Sequence, residues 1–298
     1  MNIIETKGLT KTYGKSRGIN DLNLIIEEGD FFGFIGPNGA GKSTTIRTLL
    51  GLISPTGGSA KIMGCDIVKE NRQILSRVGY LPSEINFYSK MKVKDVIRYS
   101  ASLRKADCHT KAMSLCERLG LDITKNVDEL SLGNRKKVGI VCAVQHSPQL
   151  LILDEPTSGL DPLMQHEFFN ILTEENKNGA TIFFSSHILS EVQNYCRTAA
   201  FIKDGRIIMS DSVDKLEETG AKKVSVTGNA PELEAALKES AVAKYISDLQ
   251  SGDKGESVAF LYNGKIPALL ELLAEMKPKD LTITEPSLEE IFMNYYES

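Results

Sequence analysis

A glycine-rich segment between an apolar run and a helical stretch restricts the possible folds most strongly. Residues 36–44 read GPNGAGKST and match the pattern GxxxxGK[ST]. The apolar run 31–35 precedes the segment and a helical pattern over 43–52 follows it, so the order is strand, loop, helix. Glycines let the backbone turn its N–H groups toward phosphate oxygens, and the helix dipole adds positive potential. The segment predicts a nucleoside triphosphate site in an α/β protein.

Each position of this phosphate loop has an expected task. Lys42 brings a compact positive charge to the β- and γ-phosphates, the Ser43 hydroxyl is a Mg²⁺ ligand, and Thr44 reaches the α-phosphate. The loop residues expected to bind the nucleotide are Gly36, Asn38, Gly39, Ala40, Gly41, Lys42, Ser43 and Thr44. A purely structural glycine-rich turn is the alternative. The motif alone fits kinases, GTPases and helicases equally well.

A second acidic centre follows the continuous apolar run LLIL at residues 150–153. Asp154 and Glu155 end this run, which is typical of a strand buried on both faces. Asp154 is suited to hold Mg²⁺, and Glu155 is suited to orient and deprotonate an attacking water. Two adjacent buried carboxylates are costly without a cation. The alternative is a strand that ends in exposed acids before a turn at Pro156.

The order of the remaining elements predicts a mainly parallel α/β sheet and a separate tail. Short strands and turns are expected over 1–30, helices from about 86 to 148, a helix over 164–177, and strands over 181–185 and 199–202. From residue 213 the pattern becomes βαββαβ, the ferredoxin-like arrangement. Its expected elements are strand 223–226, helix 231–238, strand 243–249, strand 257–262, helix 266–276 and strand 281–284. A last helix is expected after Pro286, with Ser287 and Glu290 at capping-box spacing.

Composition excludes several classes of protein. The formal net charge of −4 argues against a general nucleic-acid coat. The five cysteines include no CxxC pair, so neither a disulfide framework nor a zinc site is suggested. No apolar stretch approaches the ~20 residues that span a bilayer, and the first residues lack the apolar core of a signal peptide. If the chain acts at a membrane, we expect a partner to supply the spanning part.

Three further motifs occur in a characteristic order with the first two. LSLGN at 130–134 lies between the two centres, SGLD at 158–161 follows them, and His187 ends the run IFFSSH. The whole set resembles the ATP-binding subunits of the ABC transporter family over roughly residues 1–210. The ending EPSLEEIFMNYY resembles the type-two exporter group of that family, which moves drugs, peptides, lipids or polysaccharides.

The resemblance implies an α/β fold of defined parts. These are a P-loop ATPase cassette over 1–212, with an N-terminal antiparallel β subdomain and a helical subdomain at about 86–148, and a small C-terminal α+β domain over 213–298. It also implies an ATPase that uses ATP and Mg²⁺ and pairs head to tail with a second ATPase subunit. The pair would power export by an integral membrane permease and lie peripherally at the cytoplasmic face of the membrane.

Further site residues are implied only by this resemblance. Tyr13 would stack on adenine, Ser131 and Gly133 would bind the γ-phosphate held by the opposite subunit, Asp161 would shape the subunit boundary, and His187 would contact the γ-phosphate or the attacking water. Plain structural alternatives are an edge-strand aromatic for Tyr13 and a helix N-cap for Ser131. Capping and phosphate binding use the same free donors, so both readings of Ser131 can hold.

Two positions depart from the family pattern. Leu132 and Asn134 replace the usual residues of LSGGQ, which alters packing but leaves Ser131 and Gly133. Ser83 stands where the family has a glutamine that touches Mg²⁺ and meets the membrane subunit, and its shorter side chain would reach the metal only through water. Glu84 is the possible substitute for that glutamine.

A rival hypothesis is an ABC ATPase that acts on ribosomes or nucleic acid. The basic run Arg135–Lys137 could serve nucleic acid, but a solvated helix face is the favoured interpretation in an acidic chain. The rival would normally need two cassettes, a long coiled coil or a basic surface. We therefore expect no nucleic-acid partner.

Overall fold

The computed structural model describes residues 1–14, 16–104, 107–217, 221–252 and 255–286. The chain divides into two compact units, Met1–Ser212 and Val213–Ser298. The first unit contains, in chain order, β1 (Asn2–Tyr13), β2 (Ser16–Glu27), β3 (Phe31–Ile35), α1 (Lys42–Leu49), β4 (Gly57–Ile62), β5 (Cys65–Asp66), α2 (Asn71–Arg77), β6 (Val78–Leu81), α3 (Val93–Ser102), α4 (His109–Arg118), α5 (Leu132–Val144), β7 (Leu150–Asp154), α6 (Pro162–Lys177), β8 (Thr181–Ser186), α7 (Leu189–Tyr195), β9 (Thr198–Lys203) and β10 (Arg206–Ser212).

An antiparallel sheet of strand order β2-β1-β4-β5 forms the N-terminal part, as the fold class predicted. The expectation of short strands over the first 30 residues was wrong, because β1 and β2 each run for 12 residues. Their pairing contains several register shifts, as between Thr6 and Leu9. Bulges of this kind interrupt the alternation of buried and exposed side chains, so each long strand looks like fragments in the sequence.

A six-stranded sheet of order β10-β9-β3-β8-β7-β6 forms the centre of the unit. All neighbours are parallel except β10 and β9, which confirms the predicted α/β class. Strands β3, β7 and β8 are buried along their whole length, as the continuous apolar runs indicate. The stacked rings of Phe32 and Phe183, 5.6 Å apart at their centroids, join β3 to β8.

The stretch between β6 and β7 is helical, as predicted. Helices α3 and α4 pack on α5, and a 3₁₀ turn at Val127–Glu129 leads into α5. Both α3 and α4 fall within the predicted helical range of about 86 to 148. This part of the chain therefore adds a helical layer beside the edge strand β6.

Strand register brings four chain segments to one edge of the central sheet. Ile35 of β3 is level with Ser186 of β8, Asp154 of β7 with Ser185, and Leu81 of β6 with Leu153. Because these strands are parallel, the segments that follow them emerge together at the carboxyl edge. The phosphate loop, Glu155, Ser83 and His187 lie at this edge for that reason.

The second unit contains α8 (Val213–Glu217), β11 (Lys222–Thr227), α9 (Ala230–Glu239), β12 (Ile246–Ser251), β13 (Ser257–Tyr262), α10 (Ile266–Met276) and β14 (Asp280–Thr284). Its sheet has the order β12-β13-β11-β14 with every neighbour antiparallel, which is the predicted ferredoxin-like arrangement. The predicted bounds of β13 and α10 are those observed. The predicted strand over 243–249 begins instead with a 3₁₀ turn at Ala243–Tyr245.

Two sequence expectations concern membranes and the end of the chain. Among the described residues, no helix is long and apolar enough to cross a bilayer. The last predicted helix and most of the ending EPSLEEIFMNYY fall within 287–298, outside the described residues.

Candidate nucleotide-binding site

A cavity of about 480 Å³ opens at the carboxyl edge of the central sheet. It is lined by Gly18, Asn38, Gly39, Gly41, Lys42, Ser43, Thr44, Ser83 and Glu155. The predicted phosphate loop, residues 36–44, supplies six of these nine residues, three from the segment between β3 and α1 and three from the first turn of α1. Gly18 belongs to β2 and is a lining residue that no sequence motif predicted.

The glycines of the loop are needed for two different reasons. Gly39 and Gly41 have φ values of +82° and +113°, a region that other residues rarely adopt. Gly36 has an ordinary φ, but a Cβ there would lie 2.4 Å from the carbonyl oxygen of Ile202. Gly36 and the buried Ala40 do not line the cavity, and they shape the loop from behind.

Lys42 is buried at the base of the loop, with 4% of its surface exposed. Its Nζ donates to the carbonyl oxygens of Gly36 at 2.6 Å and Pro37 at 3.2 Å, and pairs with Oε1 of Glu155 at 3.1 Å. The loop carbonyls hold the amine in position. A phosphate that enters the cavity therefore competes with the Glu155 carboxylate for this cation.

Asp154 is fully buried at the end of β7. Its Oδ1 accepts a hydrogen bond from the Ser185 hydroxyl at 2.9 Å, while Oδ2 has no partner among the described residues. A buried carboxylate oxygen without a partner suits a cation, and Mg²⁺ prefers oxygen ligands. No group of three or more His, Cys, Asp or Glu in the described part of the chain could hold a metal. A Mg²⁺ ion held by Ser43, Asp154 and phosphate oxygens would not require one.

Glu155 leaves the strand in an unusual conformation, with φ of +46°. Such a backbone costs about 1–3 kcal/mol outside glycine and persists only when its surroundings hold it. Its N–H donates to the carbonyl oxygen of Ser185 at 3.2 Å and to the Ser185 hydroxyl at 3.1 Å. Its Oε2 lies 3.4 Å from Nδ1 of His187. Lys42 and Glu155 line the cavity, and His187, from a third chain segment, contacts Glu155 without lining it.

The other residues predicted for the site do not line this cavity. Ser131 caps α5 by accepting from the Asn134 N–H at 3.3 Å, which confirms its capping interpretation. Gly133 packs against the SGLD segment, since a Cβ there would lie 2.8 Å from the Gly159 carbonyl oxygen. Asp161 caps α6 through the Met164 N–H at 3.0 Å.

Tyr13 lies at the end of β1 with 44% of its surface exposed. The amine of Lys11 is 5.2 Å from the centre of its ring, and Tyr13 is not among the lining residues. An exposed ring is available for stacking, but adenine binding by Tyr13 stays a prediction.

The solvated-face interpretation of Arg135–Lys137 was wrong for its middle residue. Lys136 is only 2% exposed, and its Nζ reaches the carbonyl oxygens of Ser83 and Glu155. Helical spacing could have predicted the burial of Lys136, because this residue precedes the apolar residues Ile140 by four positions and Ala143 by seven, which places all three on one helix face. Three consecutive residues cover most of the circumference of a helix, so one residue of the run 135–137 lies on the buried face of α5.

A phosphate loop between a parallel strand and a helix, with two acids at the end of a neighbouring strand, defines a P-loop nucleoside triphosphatase. Comparison with known proteins identifies the family within this class. The family described as ABC transporter matches residues 19–158. The bacitracin transport ATP-binding protein of Bacillus licheniformis is 33% identical over 98% of this chain and 96% of its own length.

Two further relatives agree with this assignment. The lantibiotic transport ATP-binding protein of Streptococcus pyogenes is 37% identical over 72% of this chain and 95% of its own. A solved ATP-binding subunit of an ABC transporter superposes with a TM-score of 0.69 at 29% identity, covering 72% of this chain and 92% of that one. The chain belongs to the ABC transporter family. It is an ATP-binding, ATP-hydrolysing subunit of the kind found in the type-two exporter group.

Proposed function

We propose that two ATPase subunits pair head to tail around ATP to drive export by a membrane permease. Lys42, Ser43, Asp154, Glu155 and His187 of one subunit face Ser131 and Gly133 of the other across each nucleotide. The observation that carries this proposal is the contact of Glu155 with both Lys42 and His187, beside a cavity that Ser131 and Gly133 of the same chain do not line.

In this proposal Glu155 is the general base for hydrolysis. Its carboxylate takes a proton from water while the water oxygen bonds to the γ-phosphorus and the bond to the bridging oxygen of ADP breaks. The Lys42 amine, released from Glu155 by the incoming phosphate, offsets the charge of the phosphoryl group. Mg²⁺ supplies further positive charge when it is bound by the Ser43 hydroxyl and Asp154, with Ser83 reaching it through water.

The N-terminus of α5 is suited to complete the site of the partner subunit. Ser131 is exposed, and α5 runs for 13 residues, so its first N–H groups and its dipole favour an anion. Binding of ATP would join the two subunits and hydrolysis would separate them.

The permease would dock beside the segment that follows Ser83. A cavity of about 470 Å³ there is lined mainly by apolar and aromatic residues between α3 and its preceding loop. Tyr88, Tyr99 and Leu103 are 70%, 47% and 64% exposed, an unusual concentration of large apolar side chains at one place. The transport names of the relatives support a cytoplasmic segment of an integral membrane protein as the occupant. The cytoplasmic face of the membrane is then the working location.

The Glu155→Gln variant tests both the chemistry and the pairing. The amide keeps the shape but cannot accept a proton, so we expect turnover reduced about 100-fold or more and a dimer on size exclusion with MgATP. The ATP affinity should be at least that of the parent, because a neutral amide competes less for Lys42. Adding Ser131→Arg should abolish that dimer while the nucleotide still binds.

Glu28→Gln is the matched control, because Glu28 is exposed at the opposite edge of the central sheet. It should retain the turnover of the parent. Parent-like hydrolysis by Glu155→Gln would refute the base assignment, and a dimer of the double variant would refute the pairing.

A further inference from the structure

Lys136 connects three parts of the cassette through main-chain carbonyls alone. Its Nζ donates to the carbonyl oxygens of Ser83 at 3.0 Å, Glu155 at 3.1 Å and Pro82 at 3.4 Å. An ammonium group has three N–H donors, and three acceptors surround this one. The residue itself belongs to α5, which starts at the LSLGN motif.

The environment of this amine is unusual for a lysine. The side chain is 2% exposed, and among the described residues no carboxylate forms an ion pair with it. Burial lowers the pKa of the amine to about 8, although the nearby carboxylates of Asp154 and Glu155 act in the opposite direction. A long, charged side chain is buried here at a cost, so its position calls for a function that a surface lysine would not have.

The contact to Glu155 acts on the backbone of the residue that serves as base. The Glu155 N–H is held by Ser185, at the carbonyl oxygen and the hydroxyl, and its C=O is held by Lys136. These hydrogen bonds hold the peptide units on both sides of Glu155, which has a φ of +46°. The direction in which the Glu155 side chain leaves the strand depends on that backbone conformation.

We propose that Lys136 is a positioning residue that sets the backbone of Glu155 and of the Ser83 segment for hydrolysis. Through it, the start of α5, the segment next to the permease-facing cavity and the catalytic carboxylate form one hydrogen-bonded unit. A movement of α5 or of the Ser83 segment would then reach Glu155 directly. The inference rests on the role of Glu155 in the proposed function.

The Lys136→Met variant of the full chain tests it, because methionine keeps an unbranched apolar stem and removes the three donors. A small misplacement of a catalytic group lowers rates strongly, so we expect kcat to fall about 10- to 100-fold. The Kd for MgATP and the KM should change less than about threefold. Lys136→Gln keeps an N–H donor on a shorter stem and should give an intermediate kcat at unchanged Kd.

Lys137→Met is the control, since Lys137 is the half-buried neighbour on the same helix and should keep the kcat of the parent. Parent-like kcat in Lys136→Met, or equal losses of kcat and affinity, would overturn the inference. If Lys136→Met does not fold, Lys136→Gln decides by the same criteria, and its parent-like kcat would overturn the inference.

The Glu155→Gln variant separates the two proposals. Suppressed turnover in Glu155→Gln together with parent-like kcat in Lys136→Met would overturn only the positioning role. Parent-like turnover in Glu155→Gln would remove the base on which the inference rests, whatever Lys136→Met does.

Discussion

Asp154 and Glu155 are adjacent acids that the fold places in opposite environments. Asp154 is fully buried and hydrogen-bonded to Ser185, whereas the Glu155 side chain is 23% exposed and paired with Lys42 and His187. The positive φ of Glu155 turns the chain out of the strand between them. This separation suits the roles proposed for the two carboxylates, with Asp154 holding the metal and Glu155 the attacking water.

Lys42 of the phosphate loop forms an ion pair with Glu155, so a carboxylate of the same chain offsets the charge of this lysine. A triphosphate must replace a carboxylate at Lys42, and the freed Glu155 then turns to other partners. In the proposed mechanism, this exchange would link nucleotide binding to the availability of Glu155 as the base within a single chain.

His146 gives a stability prediction that does not involve the nucleotide. Burial, with a smaller contribution from the neighbouring Arg104, lowers the pKa of His146 from 6.5 to about 4. The histidine is neutral when folded but takes up a proton in the unfolded chain below about pH 6.5. Stability is therefore complete above that pH and is lost as the pH falls toward 4, by about 1–2 kcal/mol at about pH 5.

Urea unfolding of the parent and of His146→Gln, compared between about pH 8 and about pH 5, measures this contribution. Other titrating groups are shared by both chains and cancel in the difference. The parent should lose more stability than the variant over this range. Equal losses in the two proteins would contradict the prediction.

At the scale of elements, α3 and the loop before it carry the proposed contact with the permease. The rings of Tyr88 and Tyr99 meet edge to face with centroids 6.3 Å apart, which keeps an aromatic surface in place next to Leu103. Helix α3 also packs on α5, whose side chain Lys136 reaches Glu155. Two contacts therefore connect this surface to the proposed base: α3 packs on α5, and Lys136 of α5 bonds to Glu155.

Copurification from membranes tests this contact. The double variant Tyr88→Ser, Leu103→Ser should lose most of the integral membrane protein that the parent retains, because burial of large apolar side chains supplies much of the affinity. ATP affinity should be unchanged. Val68→Ser, at another 61% exposed apolar residue, is the control and should keep the partner. Recovery of RNA or DNA instead of a membrane protein by the parent chain would favour the rival hypothesis.

Elements were predictable where the hydrophobic pattern is local and regular. β13 and α10 begin and end at the predicted residues, and the run LLIL marked β7 because both its faces are covered. β4 escaped prediction because its sequence, GGSAKI, is half glycine or small polar residues. Its strand conformation depends on pairing with β1, some 50 residues away, which no local pattern records.

At the scale of the whole molecule, each unit has its own hydrophobic core. One core cluster draws its residues from the stretch between Ile3 and Ile202, and another draws only on the stretch between Val224 and Leu273. All residues that line the nucleotide cavity belong to the first unit. We propose that the cassette binds nucleotide by itself and that the C-terminal unit serves assembly or regulation.

Deletion of residues 218–298 tests this division. The shortened chain should bind MgATP with an affinity within about threefold of the parent, measured by titration calorimetry, because every lining residue and the core behind it remain. Assembly with the permease or its regulation should weaken. Complete loss of nucleotide affinity in a shortened chain that is still folded would refute the proposal.

The class of protein and the residues of the phosphate loop followed from the amino-acid sequence alone. A loop of fixed spacing carries its own backbone requirements, and beside such a loop an apolar run followed by two acids indicates a buried strand end. Sequence pattern also determined the order of elements in the second unit. These features depend on residues close together in the chain, so they can be predicted from the sequence.

The contacts between these parts could be seen only once the chain was folded. The register of parallel strands brings Lys42, Glu155 and His187 together, and the packing of α5 buries Lys136 where a surface charge was expected. The φ of Glu155 and the carbonyls that Lys136 holds arise from segments far apart in the chain. Such contacts depend on how several elements pack against one another. A sequence pattern predicts the elements but not the contacts between them.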